Sequence, residues 1–295
     1  MSGQQRRRRR KRLLHLLGAC GVLSMFSIPS RNQRGLSLVE LMVAMAISSF
    51  LILGITQIYL DNKRNYLYQQ GQGENLENGR FALMLIGERL SKAGYRRNPS
   101  LAMDIAFPAR TVDGCAFTAG QAVVRVDDAT LCLRYQPRDE NETNCLGNIY
   151  SGTSDLSTPY DSDTTLPHFN SDDIMVEKIV LEDGALKCNS QELVGNIQNL
   201  YFDYGVNDDL YELKVDSYAA NPDAGDIIRA LRYSVLLAAT PSNLTQGVES
   251  KVCSNPNNDD EIGDWEKLTG QALTCESGKL YQMVSSSSTL RNLMP

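Results

Sequence analysis

The chain has 295 residues, 42% of them hydrophobic, enough for one or two domains with a core of their own. Its net charge of −6 hides a split: residues 1–35 hold nine Lys and Arg and no carboxylate, leaving 20 basic against 35 acidic residues beyond them. A body carrying −15 argues against a nucleic-acid-binding surface, which needs a basic face to neutralise phosphates.

The leader opens on "RRRRRKR", Arg6 to Arg12. Short basic runs can serve as RNA-binding or nuclear-localisation patches. Here an apolar segment and then an acidic body follow, so the run reads better as a topogenic cluster on the cytoplasmic side. The stretch "LLHLLGACGVLSMFSIP" is apolar enough for a signal-peptide core. Pro29 and a second basic cluster follow it, however, instead of a small-residue cleavage site. Met1 and Met25 are both open as the true start. Met25 gives the short positive leader "MFSIPSRNQRG" and removes Cys20 together with the Arg run.

Leu36 to Leu60 is an apolar run, about 37 Å long as a helix and therefore long enough to span a hydrocarbon core of roughly 30 Å. Arg31 and Arg34 precede it, so the positive-inside rule keeps its N-terminal side in the cytoplasm and the rest of the chain outside. The run carries one carboxylate, Glu40, and an ionisable group in such a segment calls for a partner. In residues 61–95, Leu76, Leu83, Ile86, Leu90 and Ala93 recur at helical spacing, with Gly94 as the stop after Lys92. Gly71, Gly73 and Gly79 weaken the middle of that stretch by about 1 kcal/mol each relative to Ala. One long helix from near Leu36 to near Ala93 is expected, with an amphipathic second half lying on a globular domain. The competing reading is a polar linker between two helices.

From residue 96 to 295 the pattern becomes β-rich. "QAVVRV" (121–126), "TLCLRYQ" (130–136), "IMVEKIVLE" (174–182), "ALKCN" (185–189), "LYFDYGV" (200–206), "YELKV" (211–215) and "IRALRYSVLLAA" (228–239) read as strands. Polar loops such as "DENETN" and "SGTSDLSTPYDSDTT" separate them. The expected fold class is α+β: a long N-terminal helix on an antiparallel sheet. Six of the seven cysteines, all except Cys20, follow the apolar run, an even number that suits an oxidising compartment. Sequence proximity and loop nesting favour Cys115–Cys132, Cys145–Cys188 and Cys253–Cys275 among 15 possible pairings. No CxxC or Cys/His cluster suggests zinc, and no cofactor is expected.

"RGLSLVELMVAMAIS" resembles the class III signal of type IV pilins and type II secretion pseudopilins. In that family the leader ends in Gly, a hydrophobic residue opens the mature chain, and Glu stands fifth; Gly35, Leu36 and Glu40 fit that register. Leu36 and Ser37 replace the commoner Phe and Thr. Further on, "NGRFALMLIGERLSKAGY", "LCLRYQ", "LVGNIQNLYFDYGV" and "IRALRYSVLLAAT" resemble the PilW-like minor pilins, a looser likeness running through most of residues 35–240. Many major pilins carry a helix-breaking Pro where this chain has Gln57, which favours a minor subunit.

The resemblance implies that a prepilin peptidase cuts between Gly35 and Leu36 and that Leu36 is then N-methylated. It also implies that Glu40 pairs with the cationic N-terminus of a neighbouring helix. The implied location is the inner membrane, with the globular body in the periplasm, and then a pilus at the cell surface. The implied partners are other minor pilins, the major pilin, the inner-membrane assembly platform and the lipid bilayer, with twitching motility and adhesion as consequences.

Two other readings stand beside this one. A J-like minor pseudopilin of type II secretion shares the signal. A membrane-anchored extracytoplasmic enzyme would have to use His168, without any GxSxG, HExxH or P-loop motif. "DDAT", "DSDT" and "NPNNDDEIGD" could offer oxygen ligands to calcium but match no EF-hand loop and read as solvated turns. "NET" and "NLT" match the glycosylation sequon, a signal short enough to arise by chance. Trp265 reads as a packing residue.

Overall fold

The computed structural model describes residues 35–158, 169–209, 211–245, 250–254 and 262–294. The basic leader, Cys20, Met25, His168, "DSDT" and most of "NPNNDDEIGD" lie outside the described residues. Two units divide the chain, Met1–Thr56 and Gln57–Pro295. One helix, α1 (Leu38–Lys92), belongs to both. After it come α2 (Met103–Ala106), β1 (Arg110–Val112), β2 (Cys115–Phe117), β3 (Val123–Asp127), β4 (Thr130–Tyr135) and β5 (Met175–Glu182). They are followed by β6 (Ala185–Cys188), β7 (Gln191–Val194), β8 (Ile197–Asn207), β9 (Ser217–Ala219), β10 (Ile227–Ala238), α3 (Asp264–Thr269) and β11 (Tyr281–Thr289).

The α+β layout stands, but the strands form three antiparallel sheets where the sequence predicts one. A five-stranded sheet has the order β3-β4-β5-β6-β7, a four-stranded sheet the order β11-β10-β8-β9, and β1 and β2 form a hairpin. One core unites the face of α1 with both larger sheets: Ala82, Ile86 and Leu90 meet Leu131, Leu133, Ile179, Phe202, Leu231, Val235 and Leu237.

The helix face that packs here differs from the expected leucine stripe. Ile86, Leu90 and Ala93 are buried as anticipated, but Leu83 is only partly buried and Leu76 is 43% exposed. The buried line above Ile86 consists of Gly71, Asn75, Gly79 and Ala82. Close approach of strand side chains explains the change. A Cβ on Gly71 would stand 3.1 Å from Ala239 Cβ and 3.2 Å from Leu244 Cδ1. A Cβ on Gly79 would lie 2.9 Å from Val284 Cγ2 and 3.0 Å from Leu237 Cδ1. These two glycines, which cost helix propensity, let the sheet come in against the helix axis. Asn75 uses the same closeness, donating from Nδ2 to the Leu280 carbonyl at 3.2 Å.

Helix α1 ends as its sequence dictates. Gly94 has φ +72°, the left-handed conformation that stops a helix, and its N–H donates to the Arg134 carbonyl at 3.0 Å. Asn292 Nδ2 then donates to the carbonyls of Ser91 and Ala93, both at 3.0 Å, capping groups the helix cannot satisfy itself.

Buried polar side chains fix the five-stranded sheet. Arg134 in β4 donates through Nε to the Gln121 carbonyl and through its two terminal nitrogens to those of Pro108, Phe107 and Thr118. Its guanidinium lies 4.6 Å from the Phe117 ring centroid, and burial lowers its pKa to about 10. In β5, Glu177 is fully buried; its Oε1 accepts from Tyr135 Oη at 2.7 Å and from Cys145 N at 2.8 Å, with Arg89 of α1 at 3.6 Å. Glu177 Oε2 is buried with no hydrogen-bond partner among the described residues. Next to this group Lys92 pairs with Glu142.

"YELKV" is not a strand, a correction with a clear cause. Asn207 Nδ2 donates to Asp216 Oδ2 at 2.6 Å, and Asp216 N donates to the Val206 carbonyl at 3.0 Å. Pairing with β8 therefore begins at Ser217, as β9, and residues 211–215 bridge the gap as a loop. The sequence reading omits β1, β2, β7, β9 and β11. In β11 the serines of "YQMVSSSST" carry little apolar signal, yet they pair residue for residue with β10, and Ser285 Oγ meets Ser234 Oγ at 2.8 Å. Trp265 of α3 is fully buried with Leu236 and Tyr281, its ring edge-on to Tyr201 at 6.5 Å.

Two outcomes follow for the folded unit. Gly79→Ala should destabilise by about 1–3 kcal/mol through overpacking, while Gly73→Ala, with nothing within 4 Å of its added Cβ, should stabilise by up to about 1 kcal/mol. Denaturant melts of the two variants check this, and the same sign for both would contradict the close-approach account. For Glu177, burial is the dominant influence and lifts its pKa above the ordinary 4.5, outweighing the lowering by Tyr135 and Arg89. The native state therefore holds a proton that the unfolded chain has lost, and this residue's contribution falls as pH rises from 4.5 through the raised value. Relative to Glu177→Gln, which cannot ionise, the native chain should lose stability across that window. A difference that moves in the native chain's favour as pH rises would contradict the assignment.

Candidate functional site

The segment that carries the sequence motif lies at the start of α1. Gly35 and Leu36 precede the helix, and Leu41 N donates to the Ser37 carbonyl at 3.1 Å, closing the first turn. Glu40 sits in that turn, where a carboxylate is favoured by the positive end of the helix dipole. Space does not demand glycine at position 35, since a Cβ there would meet nothing within 4 Å. Among the described residues no cation forms an ion pair with Glu40, and its side chain is exposed.

Behind Glu40 the helix is apolar on every face. Leu38, Met42, Met45, Phe50, Leu53 and Ile58 are all more than 60% exposed. Polar side chains within this run turn inward on the helix: Ser48 Oγ donates to the Ala44 carbonyl at 2.7 Å, Ser49 Oγ to Met45 at 2.8 Å and Thr56 Oγ1 to Ile52 at 2.8 Å. With those hydroxyls satisfied locally, the segment presents almost pure hydrocarbon. It is long and apolar enough to cross a membrane.

In Gln57–Pro295 the structure contains the disulfides Cys115–Cys132, Cys145–Cys188 and Cys253–Cys275, with Cα separations of 5.9, 6.2 and 5.7 Å. They tie β2 to β4, the 139–150 loop to β6, and the segment before α3 to the segment before β11. Cys145, Glu177 and Cys188 bring ligand atoms within 4.8 Å of one another, the spacing of a metal site. Both sulfurs are spent in the disulfide, so the group has no thiolate to offer a metal. At "DDAT" the acids serve a turn, with Asp127 Oδ1 accepting from Ala129 N at 2.9 Å and Asp128 pairing with Arg125.

Sequence reasoning placed Gly35, Leu36 and Glu40 on one short segment at the helix start, and the structure has them there. It missed the buried set around Glu177, whose only sequence signal was an acid at an inward position of an alternating strand.

Comparison with known proteins adds one positive finding. The model of the prokaryotic N-terminal methylation motif matches residues 30–56. No curated protein matches the chain. Among solved structures, the type IV-like pilin TTHA1219 from Thermus thermophilus is similar with a TM-score of 0.40 and 10% identity, over 74% of this chain and 97% of that one. The matched methylation motif stands at the head of a long apolar helix whose second half carries antiparallel sheets.

Proposed function

We propose that the chain is a non-enzymatic minor pilin of the PilW type, assembling with other minor pilins to start or tip a type IV pilus. The observation that carries this reading is the methylation motif with Glu40 fifth from Leu36, on a helix whose outer surface is hydrocarbon. A prepilin peptidase cuts between Gly35 and Leu36, and Leu36 becomes the N-methylated terminus. Since no contact of Gly35 requires glycine, the requirement lies in the protease site, where the missing Cβ lets the backbone enter.

Cleavage creates a cationic amine level with the carboxylates of neighbouring helices. A carboxylate held in lipid costs several kcal/mol when alone, and a cation beside it lowers that penalty. Pairing Glu40 with a neighbour's N-terminus therefore favours one vertical register of docking. The remainder of the chain lies in the periplasm, a compartment compatible with three disulfides. Major pilin, other minor pilins and the inner-membrane assembly platform are the partners, and twitching motility and adhesion follow from the filament. The same segment would serve a J-like minor pseudopilin of type II secretion; the looser PilW-like segments between residues 78 and 240 favour the pilus.

Expression with and without a prepilin peptidase tests the reading by intact mass. The expected product lacks everything through Gly35 and carries one added methyl group, and Gly35→Leu abolishes processing. An unprocessed chain in the presence of active peptidase would overturn the assignment. In the same membranes Glu40→Ala should still be cleaved but be captured with partner pilins about tenfold less, the equivalent of losing about 1.4 kcal/mol of pairing. Undiminished capture would contradict the register argument.

A further inference from the structure

A cavity of about 280 Å³ opens in the Gln57–Pro295 unit where the chain leaves α1. Its walls come from the 96–103 turn, Gly120 before β3, the loop between β8 and β9, the start of β10 and the turn at Asn292–Leu293. Its lining is mixed: Leu101, Met103, Ile227 and Leu293 give it aliphatic walls, Ser100 and Asn292 polar ones, and the exposed Tyr211 and Leu213 stand at its edge. Arg96 and Arg229 also line it.

The arginines of this region differ in what they bind. Arg229 is buried and donates to the carbonyls of Leu293, at 2.5 Å, and Asp209, at 3.0 Å. Arg97, next in sequence to Arg96, points its guanidinium at the carbonyls of Pro137, Arg138 and Thr158. Among the described residues no carbonyl or carboxylate holds the Arg96 side chain in this way. Burial lowers its pKa, and no carboxylate offsets that effect. A half-buried guanidinium at the edge of aliphatic walls is stabilised by an anion, and its planar fork suits a carboxylate in bidentate contact.

We propose that this cavity binds a small carboxylic acid, its carboxylate on Arg96 and its hydrocarbon body against Leu101, Met103, Ile227 and Leu293. The volume lies near the lower end for small-molecule pockets and suits an acid of about six carbons. A phosphate is the poorer fit, because its doubly charged head needs several donors and the Arg229 guanidinium is already engaged by the Leu293 and Asp209 carbonyls. The site does not depend on the pilus assignment, as all its residues belong to the folded Gln57–Pro295 unit.

The test uses the full chain in lipid nanodiscs, labelled with 13C at the methionine methyls and titrated with hexanoate, hexanol or inorganic phosphate. Met103→Leu identifies the Met103 resonance. Hexanoate should shift that resonance saturably, hexanol about tenfold more weakly, and phosphate not at all, the tenfold being the carboxylate's share of about 1.4 kcal/mol. Arg96→Gln should weaken hexanoate by a similar factor and leave hexanol unchanged. Leu213→Trp at the half-exposed edge should block hexanoate without altering the thermal melt, which keeps the test valid if Arg96→Gln folds poorly. No saturable shift, equal binding of hexanoate and hexanol, equal binding to native chain and Arg96→Gln, or full binding to Leu213→Trp would each overturn the proposal.

Discussion

One continuous helix has to meet two opposite packing demands, and the rest of the molecule follows from how α1 meets them. Over its first turns no other described segment packs on it, its outer surface is hydrocarbon and its hydroxyls fold back on their own carbonyls. From Gly71 onward it must accept a sheet at short range, and there the side chains shrink to glycine, asparagine and alanine. Helix propensity is lost at Gly71 and Gly79 because contact with Ala239, Leu237 and Val284 compensates. The sole carboxylate of the apolar run, Glu40, is left without a cation of its own chain among the described residues. In water this would be unremarkable. In a membrane it is a demand for a partner.

The globular unit is held by a different kind of interaction. Arg134 gathers four carbonyls from the stretch around β1 and β2, and Glu177 joins Tyr135, the Cys145 backbone and Arg89 of the helix. These groups sit where irregular loops meet the five-stranded sheet, and each satisfies backbone donors or acceptors that no ladder reaches. Two of the three disulfides act on the same loops and the third joins the segments before α3 and β11; each closes 17 to 43 residues and contributes on the order of 3–4 kcal/mol in the chain-entropy view. Long polar connections are thereby tolerated in a unit whose apolar core is confined to one helix face and two sheets.

The sequence made the helix, its end at Gly94 and the strongest strands legible, because apolar periodicity and β-branched alternation report burial directly. β4, β5, β8 and β10 announce themselves this way. The legible part stops where burial depends on shape. Leu76 looked like core and is 43% exposed, whereas Gly79 looked like a weakness and is a contact point. β11 pairs through serines, and its place at a sheet edge beside β10 is set by register, which composition does not encode. "YELKV" alternates as a strand should, but the Asn207–Asp216 hydrogen bond holds it as a loop. The helix-start segment was legible because its register, Gly35-Leu36 to Glu40, is a short linear pattern that needs no tertiary information. The cavity beside Arg96 was not, since its walls come from five separate parts of the chain.

The decisive contact is the one between Glu40 and a cleaved chain end. Zero-length carbodiimide coupling in intact membranes, followed by peptide mass analysis, reads that contact directly. An amide between the Glu40 carboxyl and the Leu36 amine of a neighbouring pilin chain is the predicted product. Recovery of Glu40 uncoupled to any α-amine, in membranes where the processed chain is assembled, would contradict it.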